Sequence, residues 1–132
     1  MNISSTVGSP LVKPGNVVYG LTKAAIEYFT RAAAHELAPY GIRVNCVSPG
    51  SVVTPIHLEW AGDLEYAKEH LKARIPLGRM GEPEEIATWI WQLVAPETTW
   101  CTGTTIHVDG GQALGLPEEL PAVPPVAVVE SV

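Results

Sequence analysis

From Val17 to Ala38, apolar side chains recur at Leu21, Ala25, Tyr28, Phe29, Ala32 and Ala33, a spacing that predicts one long helix. Its many alanines give a flat face suited to close packing. Asn16 stands where an N-cap belongs, and Pro39 and Gly41 close the helix. The next run, Ile42 to Val47, is rich in β-branched residues and predicts a strand. A helix joined to a strand by so short a link is half of a βαβ unit, so a parallel sheet is expected.

Other stretches extend this pattern. Met1–Ser5 reads as the end of a strand. It runs into a loop, Thr6–Asn16, carrying Gly8, Pro10, Pro14 and Gly15. Ser48–Pro55 is a loop at a strand's C-terminal end, where ligands sit in open α/β sheets, and Gly50 permits close backbone approach. Asp63–Arg74 predicts a short amphipathic helix, and Pro76–Gly81 is irregular. Pro83 opens a helix to about residue 95, with Glu82, Glu84 and Glu85 favouring its N-terminal dipole. Ile86, Ala87, Ile90, Leu93 and Val94 form its apolar side, and Trp89, Trp91 and Trp100 are expected to pack. Thr104–Val108 predicts a last strand, ended by Asp109-Gly110-Gly111. The fold class is therefore a partial doubly wound parallel sheet with strands near 1–5, 42–48 and 104–108. One domain covers 1–114. An irregular, Pro-rich acidic tail covers 115–132.

Within the first helix, Tyr19 and Lys23 lie one turn apart on one face. A free phenol titrates near ~10, too high for efficient proton transfer at neutral pH, and a nearby cation stabilises the phenolate. A hydroxyl such as Ser5 can hold a substrate oxygen beside the phenol. The same two residues also suit an ordinary helix, with Tyr19 packed and Lys23 solvated. The motif needs its context.

Composition narrows the function classes. The chain has 132 residues and a net charge of −6, and from Met80 onward it carries eight acidic residues and no Lys or Arg. That distribution argues against a nucleic-acid surface, which needs a basic patch. No apolar run approaches the ~20 residues of a membrane span, and Met1 is not followed by a secretory pattern. Cys46 and Cys101 show neither metal spacing nor a disulfide framework, so a reduced, cytoplasmic setting is expected. Cys46, in a core strand, is expected to be inert. His35, His70 and His107 share no ligand spacing, so no metal is expected. His57 follows the 48–55 loop; a solvated loop position is favoured over one facing substrate.

Seven pieces in order resemble the C-terminal half of a short-chain dehydrogenase/reductase, near the 3-oxoacyl-carrier-protein-reductase-like members. They are Asn2-Ile3-Ser4-Ser5; Tyr19 and Lys23 with Ala24-Ala25; Gly41 to Asn45; Ser48-Pro49-Gly50 with Thr54; Pro76 to Arg79; Glu82 to Ala87; and Thr102-Gly103 with Val108 to Gly111. The resemblance spans roughly residues 2–112. It implies NAD- or NADP-dependent interconversion of a small-molecule carbonyl and alcohol. Tyr19 would be the general acid/base. Lys23 would favour its ionised form and bind the nicotinamide ribose hydroxyls. Ser5 would hydrogen-bond the substrate oxygen. Pro49, Gly50, Val52 and Thr54 would line the nicotinamide, partly through backbone groups. The connection 55–80 would close over substrate, with Leu58, Trp60, Leu64, Tyr66 and Leu71 either lining an apolar pocket or packing on the core. A homo-oligomer is expected in the full-length form.

Two departures accompany the resemblance. Thr6, not Ser5, has the family's thirteen-residue spacing before the tyrosine; Ser5 is preferred because Asn-Ile-Ser-Ser fits and one extra loop residue costs little. The family's dinucleotide-binding first half has no counterpart here, so the chain reads as truncated. The other reading is a non-catalytic remnant that acts as an interaction module with a homologous subunit.

Overall fold

The computed structural model describes residues 1–115; the tail expectation for 116–132 falls outside the described residues, as do the side chains of Leu58 and Trp60. Three strands, β1 (Asn2–Ile3), β2 (Cys46–Pro49) and β3 (Thr105–Val108), form one sheet in the order β1-β2-β3. Both pairings are parallel: Asn2 lies opposite Cys46, and Cys46 lies opposite Thr105. The connections are α1 (Val17–Leu37) between β1 and β2, then α2 (Pro55–Ala61), α3 (Leu64–Lys72) and α4 (Pro83–Val94) between β2 and β3. Loops after β1 and β2 consequently emerge at the same edge of the sheet.

Helix α1 follows the predicted span, but the face it buries differs. Glu27, Thr30, Ala33 and Ala34 are buried, whereas Leu21, Tyr28 and Phe29 are exposed. The polar pair is tolerated because it has partners. Thr30 Oγ1 accepts from Asn2 Nδ2 at 2.9 Å, and Glu27 accepts from Ser4 Oγ at 2.9 Å. Ala33 and Ala34 meet Val44, with Leu37 beside them. Asn16 occupies the N-cap position without capping through its side chain, which donates instead to the Pro14 carbonyl. Pro39 and Gly41 do end the helix, through a short 3-10 turn at Ala38–Tyr40.

Strand β2 begins at Cys46 rather than at residue 42, and over 43–45 side chains add to the backbone bonds that Val44 and Asn45 accept from Gly103 and Asn2. Arg43 donates to the carbonyls of Leu93, Cys101 and Ala95 at 2.7, 3.1 and 3.4 Å, and so receives the C-terminal end of α4. Asn45 donates to the Cys101 carbonyl at 2.8 Å and accepts from the Thr104 N–H at 3.2 Å. Those bonds deliver the chain into β3 in register with β2. Cys46 is fully buried, and that burial pushes its thiol pKa up, as an inert core cysteine requires.

Two further expectations are corrected. Of α4's residues only Leu93 is buried, so Trp89 and Trp91 lie on its outward side, and Trp100, in the following loop, is fully exposed. The 55–80 connection holds α2, which sequence reading left out, as well as α3, whose N-cap Asp63 accepts from the Tyr66 N–H at 2.8 Å. Leu71 packs with Ile75, Met80 and Val53 as a second core cluster.

Candidate active site

Pro49 ends β2, and the loop beyond it is pinned from two sides. The Gly50 N–H donates to the Val108 carbonyl at 3.1 Å, alongside β3. A Cβ on Gly50 would lie 2.7 Å from Asp109 Cβ and 2.8 Å from Asp109 Cα, so only glycine fits there. The Gln112 carboxamide grips Ser51 twice: Oε1 accepts from the Ser51 N–H at 2.8 Å and Nε2 donates to Oγ at 3.1 Å. Gly81 completes the support, accepting from the Val53 N–H and donating to the Ser51 carbonyl. Gln112 and Gly81 escaped the sequence reading, since neither carries a local signal of a role some 60 or 30 positions away.

Facing this loop is the first turn of α1. The Lys23 ammonium lies over the Tyr19 ring, 5.6 Å from its centroid, within cation–π reach. Its Nζ also donates to the Ile3 carbonyl at 3.2 Å, which fixes the lysine against β1. Gly8 allows the preceding loop to approach; a Cβ there would meet Lys23 Cβ at 2.7 Å. Ser5 follows β1 and is half-buried, while Thr6 beside it is buried at 2% exposure.

One open hollow of about 400 Å³ brings together the residues expected at the site. Ser5, Tyr19, Lys23, Pro49, Gly50, Val52 and Thr54 line it, together with Ile3, Ser4, Ile56, His57, Pro83 and Ile86. Thr6 does not. Nor do Leu64, Tyr66 or Leu71, so those apolar residues of the connection give this hollow no wall. His57 is half-buried in the cleft, contrary to the solvated position favoured from sequence. Its Nδ1 lies 3.2 Å from Thr54 Oγ1, and burial, followed by the charge of Lys13, lowers its pKa. A larger hollow of about 480 Å³ opens around Pro76, Leu77, Arg79 and the 107–111 segment. It shares Ile86 with the cleft but contains neither the Tyr19–Lys23 pair nor Ser5. Size therefore does not select the site; the grouped acid, base and hydroxyl chemistry does.

The cleft's donors suit a nicotinamide riboside. The Lys23 ammonium can meet vicinal hydroxyls, and Thr54 offers a hydroxyl. Among the described residues no group of three or more His, Cys, Asp or Glu is arranged to hold a metal, and no helix is long and apolar enough to cross a membrane.

Residues 1–113 match the family model described as enoyl-(acyl carrier protein) reductase. A glucose 1-dehydrogenase of Gluconobacter oxydans is 42% identical over 112 residues, covering 85% of this chain and 42% of the relative. A 3-oxoacyl-acyl-carrier-protein reductase of Thermotoga maritima is 42% identical over 111 residues, covering 84% and 44%. The chain thus spans less than half the length of these relatives. Among solved structures, a short-chain dehydrogenase family protein from Francisella tularensis superposes with a TM-score of 0.77 at 30% identity, over 86% of this chain and 50% of that one. A short-chain dehydrogenase/reductase from Serratia marcescens superposes with a TM-score of 0.74 at 34% identity, over 84% and 44%.

Proposed function

The chain belongs to the short-chain dehydrogenase/reductase family of oxidoreductases, and from that premise we propose that it carries the proton-transfer site of an NAD- or NADP-dependent carbonyl–alcohol interconversion. The observation that supports this reading is the convergence of Ser5, Tyr19, Lys23 and the 49–54 loop on one cleft.

Ser5 donates a hydrogen bond to the substrate oxygen and holds it beside the Tyr19 hydroxyl. Tyr19 gives its proton to that oxygen in reduction and removes it in oxidation. Lys23 favours the phenolate by charge and, reaching across the cleft, binds ribose hydroxyls. Gly50 and Thr54 would hold the nicotinamide, and the bound cofactor would supply or accept the hydride. Because Lys23 is anchored on the Ile3 carbonyl, its ammonium is in place before substrate arrives.

The decisive experiment joins this chain to the unmatched first part of the Thermotoga maritima reductase and follows NADH and NADPH oxidation with a panel of ketones. Tyr19→Phe should lower turnover by at least ~10²-fold while cofactor still binds. Activity within a factor of about ten of the parent rejects the acid–base role.

A second reading draws on the apolar side chains that α1 leaves exposed, Leu21 and Phe29 among them. In that reading the chain is a non-catalytic module that covers this face with a homologous subunit.

A further inference from the structure

We propose that His57 is a substrate-recognising residue of this cleft, and that the substrate carries a second oxygen function, a carboxylate in particular, beside the carbonyl that reacts. This inference rests on the oxidoreductase reading of the cleft.

His57 sits in the cleft wall with Ser5, Tyr19 and Lys23. One ring nitrogen is committed: Nδ1 lies 3.2 Å from Thr54 Oγ1. The other, Nε2, makes no hydrogen bond among the described residues. Thr54 Oγ1 is also 3.3 Å from the Val52 carbonyl, and its single hydrogen serves one acceptor at a time. When Thr54 donates to Nδ1, the neutral ring carries its proton on Nε2 and presents a donor. When Thr54 donates to Val52, Nδ1–H donates to Thr54 and Nε2 presents a lone pair. A substrate oxygen selects the first arrangement.

Charge points the same way. The chain has a net charge of −6, yet among the described residues no carboxylate lines the cleft. Its charged wall residue is Lys23, and Lys13 lies near enough to His57 to act on its titration. Glu27, beneath the cleft floor, is buried and accepts from Ser4. Burial and Lys13 together keep the imidazole neutral near pH 7, so it serves as a hydrogen-bond donor backed by a cation. An anionic oxygen complements that pair, and Ile3, Val52 and Ile86 suit a short carbon frame between it and the carbonyl.

Saturation-transfer NMR of the 132-residue chain compares acetoacetate with 2-pentanone, a neutral ketone of similar size. Acetoacetate should bind more tightly. His57→Phe should weaken it at least fivefold, and His57→Gln, which keeps a donor, should weaken it less. Should His57→Phe fail to fold, the unaltered chain still decides. Acetoacetate, and not 2-pentanone, should shield His57 from carbethoxylation read by peptide mass spectrometry. No binding of either compound, equal binding of both, or acetoacetate binding indifferent to His57 overturns the proposal. Turnover with Tyr19 indispensable but no preference for the anion sinks this inference alone. His57-dependent acetoacetate binding without any Tyr19-dependent turnover sinks the catalytic reading alone.

Discussion

The Ser4 hydroxyl donates to the buried Glu27 carboxylate at 2.9 Å, while the same oxygen lies 3.0 Å from the Lys23 carbonyl. The residue between β1 and Ser5 is thereby tied to the helix that carries Tyr19 and Lys23. Ser4→Ala leaves Glu27 buried without this donor and should destabilise the fold by ~1–3 kcal/mol. Glu27→Gln keeps an acceptor oxygen and should cost less. Urea unfolding checks both, and an unchanged midpoint for Ser4→Ala would show that the tie carries no stability.

Gly50→Ala should distort the 49–54 loop. The new methyl would sit 2.8 Å from Gln112 Oε1 and from the Asp109 backbone, and backbone cannot yield cheaply. A loss of ~1–3 kcal/mol is expected from overpacking of this kind. Because Gln112 also grips Ser51, cofactor affinity of the chimera should fall with stability. A variant with parental melting and parental cofactor affinity would refute the close-packed loop.

Acid should expose the Arg79–Glu85 pair. Arg79 donates to both Glu85 carboxylate oxygens at 2.8 and 2.7 Å, and the Glu82 N–H donates to one of them at 2.8 Å. These bonds, the arginine's first, hold the Glu85 pKa down to about 2 from 4.5. A depressed folded-state pKa means that the contribution is present above about 4.5 and is lost as pH falls through about 2. The pair is exposed, so salt screens it. Thermal midpoints between pH 6 and pH 2, in low and high salt, should show this component in the parent and not in Glu85→Gln. Parallel curves would remove the pair from the acid response.

Association is expected of the chain by itself. Among the described residues strand β1 pairs with β2 alone, leaving its other edge open, and Val17, Val18, Leu21, Tyr28 and Phe29 are exposed along α1. Open edges and apolar faces favour contact between copies. Sedimentation should give a species larger than the 14.1 kDa monomer, and Leu21→Glu with Phe29→Glu should reduce it. Calorimetry should detect little NADH or NADPH uptake without a dinucleotide-binding partner segment. A monodisperse monomer that melts cooperatively and binds either cofactor tightly would show this chain to be self-sufficient.

The local pattern of the chain determined α1, α4, the parallel strand–helix alternation and the Tyr19–Lys23 spacing. Each depends on neighbours within a few positions, where periodicity, Pro39, Gly41 and Pro83 act directly on the backbone. The residues proposed for the site, Ser5 through Thr54, were singled out by the resemblance of short ordered motifs, and the fold brings them to one cleft. Which side of α1 meets the sheet was not readable. Apolar periodicity favours Tyr28 and Phe29 inward, but Asn2 and Ser4 supply partners that make Thr30 and Glu27 the buried pair. The same limit hid the grip of Gln112 on Ser51, 61 positions apart, and the turn of His57 into the cleft. Those placements follow from which segments the parallel sheet brings to one edge, and only the folded chain sets them.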